Sequence, residues 1–182
     1  MTVMRKAKQV CVCGVLIALA LALSYTERWI PLQLLIPLPG IKLGLANVVT
    51  LVALCTLGGK YAAVILLCRC FLGAVFGGSF SALLFSVTGG TLAMTAMLLS
   101  KNSGLFSLYG ISVLGAAAHN VGQVLAAMIL MRSYYIFAYL PYLLLVAIAT
   151  GWLTGGLCVG VLRLLPKAGL RWPEEGRKEV SQ

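Results

Sequence analysis

The chain has 182 residues, of which 61% are hydrophobic and 10% charged, and its mean hydropathy is +1.02. A soluble domain carries about 25% charged residues, so a soluble fold is excluded; apolar stretches follow one another through residues 10–165 and read as membrane spans. The net charge of +10 comes from fourteen Lys and Arg against four acids, with no Asp. These cations flank the apolar stretches as topology signals do and form no patch of the kind that binds nucleic acid.

Residues 1–9 make a basic leader with Arg5, Lys6 and Lys8. The apolar run at residues 10–25 is expected to be a retained first span, not a cleaved signal peptide. Within it Gly14, Ala18 and Ala22 recur every four positions and form one stripe, which lets a partner helix approach closely in lipid. Residues 26–42 contain Pro31, Pro37 and Pro39, which break helices, yet the segment is rich in Trp29, Ile30, Leu32, Leu34, Leu35 and Ile36. It is expected to fold back over the bundle as a cap or re-entrant loop. Further spans are expected at residues 43–57, 61–76, 80–99, within 105–131, and at 142–165. The aromatic loop at residues 132–139 carries Tyr134, Tyr135, Phe137 and Tyr139, which favour the membrane interface. The expected fold is thus all-α: a polytopic bundle of six transmembrane helices at residues 10–165, between the leader at 1–9 and a polar tail at 166–182.

Orientation follows from the bias of Lys and Arg. With the N-terminus inside, the inner segments hold Arg5, Lys6, Lys8, Lys60, Lys101, Arg163, Lys167, Arg171, Arg177 and Lys178, and the outer ones only Arg28, Lys42 and Arg132. Both termini are therefore expected in the cytoplasm. The proline-rich cap, with Trp29 and Lys42, and the aromatic loop, with Tyr134 and Tyr135, then lie on the outer face.

Polar residues inside spans are expensive and mark function or packing. Arg69 falls near the middle of the third expected span, where an Arg costs at least ~2.5 kcal/mol. Three of the four acids, Glu174, Glu175 and Glu179, lie in the tail, which leaves Glu27, backbone carbonyls, water or an anionic ligand as its partner. His119, Asn120 and Gln123 are spaced to share one sector of the fifth span, either as an interhelical hydrogen-bond cluster or as a ligand pocket. Asn47, Ser81, Ser86, Thr88, Thr150 and Thr154 complete a candidate polar vestibule, although Ser and Thr in spans often bond their own backbone. The pair Gly89-Gly90 allows a bend or a close approach. The six cysteines stand as two C-x-C pairs and two single residues with no His nearby, so they read as small packing residues.

Certain chemistries lack their residues. There is no Walker A loop, no pair of carboxylates to hold Mg²⁺ for diphosphate chemistry, and a single His, so no triad is credible. Binding and translocation, or a scaffold role, are expected over catalysis, with no metal and no cofactor of its own.

The stretches Leu43-Gly44-Leu45-Ala46-Asn47, Gly77-Gly78-Ser79-Phe80-Ser81-Ala82-Leu83-Leu84-Phe85-Ser86 and Ala116-Ala117-Ala118-His119-Asn120-Val121-Gly122-Gln123 resemble the Gx transporter family. That family is also labelled heptaprenyl diphosphate synthase component I, and it is similar to the substrate-binding S components of energy-coupling-factor (ECF) vitamin transporters. The resemblance covers roughly residues 8–165. It implies a six-helix bundle in a bacterial cytoplasmic membrane, with a ligand site near the outer face closed by the loop after the first helix. It also implies docking of Ala18 and Ala22, with Gly14 one step earlier, on a coupling membrane subunit, while ATPase subunits hydrolyse ATP. The implied ligand is a vitamin, a flavin or an isoprenoid or quinone precursor. A second implication is a non-catalytic membrane partner of a flavin-binding or prenyl-synthase protein in menaquinone-linked electron transfer or isoprenoid metabolism.

Overall fold

In hydrocarbon no water satisfies backbone N–H and C=O groups, so the chain must pair them within each segment. The computed structural model describes residues 2–27, 44–76 and 79–165, with side chains from residue 7 onward. Among these residues the elements are α1 (Thr2–Thr26), α2 (Asn47–Thr56), α3 (Gly59–Val75), α4 (Phe80–Ser103), α5 (Leu108–Met131), a 3₁₀ segment (Tyr134–Tyr139) and α6 (Leu140–Leu164), with no strand. The expected cap at residues 28–42 and the tail at 166–182 lie outside the described residues. The leader is the first part of α1.

Local chemistry sets the helix ends. Ser79 and Ser107 cap α4 and α5, their hydroxyls accepting from the N–H of Ala82 and Gly110. Gly104, in the left-handed region at φ 66°, ends α4. A proline lies in the first turn of α6, where no intrahelical N–H is lost.

Four helical segments are long and apolar enough to cross a membrane: Ala7–Thr26, Phe80–Ser103, Leu108–Met131 and Tyr134–Leu164. This departs from the six spans expected. The reason is length: α2 has 10 residues, which extend about 15 Å against a hydrocarbon core of about 30 Å. Within the stretch expected as the second span, Gly44 stands at φ +80°, outside helical space, so the helix starts only at Asn47. α3, with 17 residues, reaches about 25 Å.

α2 is short because it is interior. Every residue from Asn47 to Cys55 is buried, and α2 touches all five other helices. Val49, Leu51, Ala53 and Leu54 form a core with Ile65, Met97, Ile111 and Leu162. α5 packs along both α4 and α6, while α1 is peripheral, resting on α3 and α2. The α4–α5 and α5–α6 contacts are backbone-close. A Cβ on Gly122 would stand 2.7 Å from the Thr88 carbonyl oxygen, and one on Gly151 would stand 2.5 Å from Val113 Cα. Small residues of this kind supply van der Waals contact where lipid leaves no hydrophobic drive.

One end of the bundle is pinned twice. Tyr61 Oη donates to Gln9 Oε1 at 3.1 Å, and Lys101 Nζ donates to the Leu54 carbonyl at 3.2 Å. Lys101 thereby meets the C-terminal carbonyls of α2, where a cation is favoured. The start of α1, the end of α2, the start of α3 and the end of α4 therefore share this end, and these helices alternate in direction.

Gly122→Ala and Gly151→Ala should each destabilise the protein by about 1–3 kcal/mol through overpacking. Gly160→Ala, where a Cβ meets nothing within 4 Å, should not. Unfolding of the three variants in detergent checks this.

Candidate functional site

Charge burial organises the opposite half of the bundle. Arg69, in the middle of α3, is 7% exposed. Its Nη2 donates to Asn47 Oδ1 at 3.2 Å, and its Nη1 approaches Ser24 Oγ at 3.5 Å. Its Nε has no hydrogen-bond partner among the described residues. Glu27, at the end of α1, is 4% exposed and couples electrostatically to Arg69. The Glu27 carboxylate also accepts from the Leu45 backbone N–H. The bonds from Arg69 and Leu45 tie the end of α1 to α3 and to the start of α2.

Glycines let the other helices close on this cluster. A Cβ at Gly44 would lie 2.8 Å from Asn47 Nδ2 and 3.2 Å from His119 Cδ2, and one at Gly89 would lie 2.8 Å from His119 Cε1. A Cβ at Gly90 would meet Leu66 at 2.6 Å and Arg69 Nη2 at 3.5 Å. Gly89 thus serves close approach within a continuous α4, not a bend. Ser24, Glu27, Asn47, Arg69 and His119 come from four helices, and glycines of α4 complete the wall. Beside them lies a small cleft lined by Ser24, Arg69, Cys70, Gly73, Ala74, Ala82 and Ser86, with a volume of about 20 Å³, which is room for roughly one water.

The sequence-selected residues separate into groups. Asn47, Arg69 and His119 come together at the cluster, and Ser86 lines the cleft with Arg69. Ser81 sits at the start of α4, its Oγ 2.7 Å from Ser79 Oγ, and does not line the cleft. The shared sector expected for His119, Asn120 and Gln123 does not hold for all three. Adjacent helical residues diverge by about 100°, so while His119 meets Gly44 and Gly89, Asn120 turns to α6 and its Nδ2 donates to the Leu143 carbonyl at 2.7 Å. Gln123 is fully buried. Thr88 donates to the Leu84 carbonyl at 2.7 Å, and Thr150 to the Val146 carbonyl at 3.1 Å. Thr154 donates to the Thr150 carbonyl at 2.8 Å, which leaves Ser112 to donate to Thr154 Oγ1 across 2.7 Å.

Tyr134 and Tyr135 stand out of the bundle, 85% and 90% exposed. Trp29 and Lys42 lie outside the described residues. Gly14, Ala18 and Ala22 are all exposed, on the side of α1 turned away from its buried Cys13 and Ala20. Ser24 and Gly44 belong to the site although sequence reasoning passed over them. The signal for Ser24 was its place three residues before Glu27, on the same helical face; for Gly44 it was a glycine just ahead of a polar helix start. Among the described residues no group of His, Cys, Asp or Glu is placed to hold a metal, and the six cysteines are free thiols.

A helical membrane protein that buries an arginine-centred polar cluster is the class these features define. The family model for heptaprenyl diphosphate synthase component I matches residues 16–161, and the chain belongs to that family. Searches of curated proteins and of solved structures return no significant match.

Asn47→Leu should cost about 3 kcal/mol, because it strips an acceptor from a buried charge. Adding Arg69→Met should recover part of that loss, since the charge then goes too. Asn120→Leu should cost about 1 kcal/mol by removing the bond that ties α5 to the Leu143 carbonyl of α6. Denaturation of the four proteins measures all three effects.

Proposed function

We propose that the chain is a membrane-embedded binding subunit for a small amphipathic or anionic molecule, acting as an S-component-like part of an ECF-type importer. The observation that carries this reading is the buried Arg69, held by Asn47 and Ser24 while its Nε has no hydrogen-bond partner among the described residues. A guanidinium whose only role was to brace helices would gain most from having every donor met. The second support is the exposed stripe of Gly14, Ala18 and Ala22 on a peripheral α1, which suits docking on a coupling subunit whose ATPase partners supply the energy. The chain itself would catalyse nothing. Lys8, Lys60, Lys101 and Arg163 gather at the end where α1 and α3 begin and α4 and α6 finish, which supports cytoplasmic termini. The site would then open toward the outer half of the membrane.

The family description favours a second reading. In it the chain is a non-catalytic membrane component that works beside a prenyl-synthase protein or, as the resemblance also implies, a flavin-binding one. The two readings differ in their partners. Affinity purification from native membranes should recover a coupling subunit and ATPases under the first reading, and a synthase or flavoprotein without them under the second.

Ala18→Leu combined with Ala22→Leu should abolish recovery of the coupling subunit. Because both positions are exposed, the unfolding temperature should move by no more than about 2 °C. Full recovery with the double variant would refute docking through this stripe.

A further inference from the structure

The cleft beside Arg69 has a chemistry that narrows the ligand. We propose that it receives a single oxyanion group, a phosphate or carboxylate, at the head of an amphipath, and that this group enters between α1 and α4 with α3 as the floor. The proposal rests on the binding-subunit reading and adds the chemical class of the ligand and its route.

Three observations converge. First, Arg69 is 7% exposed, lines the cleft and keeps an Nε–H with no partner among the described residues. A guanidinium offers its N–H groups in a planar fork that fits phosphate and carboxylate oxygens. Second, the other polar lining is hydroxyl, from Ser24 and Ser86, and Ser24, whose oxygen accepts from Arg69, can turn its own O–H toward an anion's oxygen. Third, the remaining walls are Cys70, Gly73, Ala74 and Ala82, and the space is about 20 Å³. That admits about one oxygen of a head group and excludes a ring or a chain, so the rest of the ligand must lie outside the cleft. α1 and α4 both pack on α3, and the cleft takes its lining from all three helices. Among the described residues the one opposing charge is Glu27, whose carboxylate is engaged by the Leu45 N–H, so the guanidinium keeps attraction for a second anion.

The test uses the full chain in phosphatidylcholine nanodiscs and follows the unfolding temperature. Dodecyl phosphate and dodecanoate, at about ten times their dissociation constants, should each raise it by roughly 3–6 °C, whereas dodecanol should not. Ala82→Phe, whose ring is larger than the cleft and closes it without removing the charge, should abolish the response, and the smaller Ala82→Val, which overpacks less, should weaken it, as should Arg69→Gln. Inorganic phosphate alone and nanodiscs containing phosphatidylglycerol distinguish a free anion or a bulk lipid head group as the source. A shift with either one that Ala82→Phe abolishes supports the oxyanion site and names its supplier. An equal response to dodecanol, or an anion response that survives Ala82→Phe, overturns the proposal. Recovery of a neutral molecule bound to the purified protein would overturn the oxyanion assignment yet leave the binding-subunit reading standing. Absence of any bound molecule, together with no response, would end both.

Discussion

The burial of one positive charge in a chain without aspartate governs the architecture. Arg69 cannot be placed against lipid, so α3 turns it inward, and four other helices contribute to its enclosure. α1 brings Ser24 and Glu27, α2 brings Asn47, α4 brings Gly90, and α5 brings His119 against the glycines beside it. α2 is interior for the same reason. Its first residue must reach the arginine, and its C-terminal carbonyls must reach Lys101 at the other end of the bundle. A short helix, held at both ends by polar contacts and covered on every side by apolar ones, meets both demands.

The bundle is consequently built from two unlike halves. The α4–α5–α6 half is welded by glycine contacts, where Gly122 and Gly151 bring backbones together and Asn120 bonds across to α6. Around α1 the ties among the described residues include Gln9 to Tyr61, Ser24 to Arg69 and Glu27 to the Leu45 N–H. The polar cluster lies next to a peripheral helix, and that helix also displays the small-residue stripe. Ligand capture and partner docking would both act on α1, which gives a physical route by which one could influence the other.

Much of this was readable from the residues alone, because in an apolar chain each polar residue stands out. Arg69, Asn47, Ser86 and His119 were singled out on that ground, and they adjoin in space. Helix positions followed equally well from the runs between Gly, Pro and Ser breakers. What the residues did not reveal were matters of length and rotation. Residues 43–57 have the hydropathy of a span, yet the left-handed Gly44 delays the helix and yields a buried element of 10 residues. The His119, Asn120 and Gln123 spacing suggested one sector, but α5 is flanked on both sides, so His119 and Asn120 serve different neighbours. Threonines that looked like vestibule lining satisfy their own backbones, as the absence of water in a span demands.

An experimental structure of the protein extracted in native lipid would bear most directly on the reading of Arg69 as a ligand-facing charge. The account predicts non-protein density with an oxygen atom about 2.8–3.0 Å from a nitrogen of the Arg69 guanidinium, between α1 and α4. A protein side chain filling that position, with the guanidinium fully satisfied from within the bundle, would contradict it.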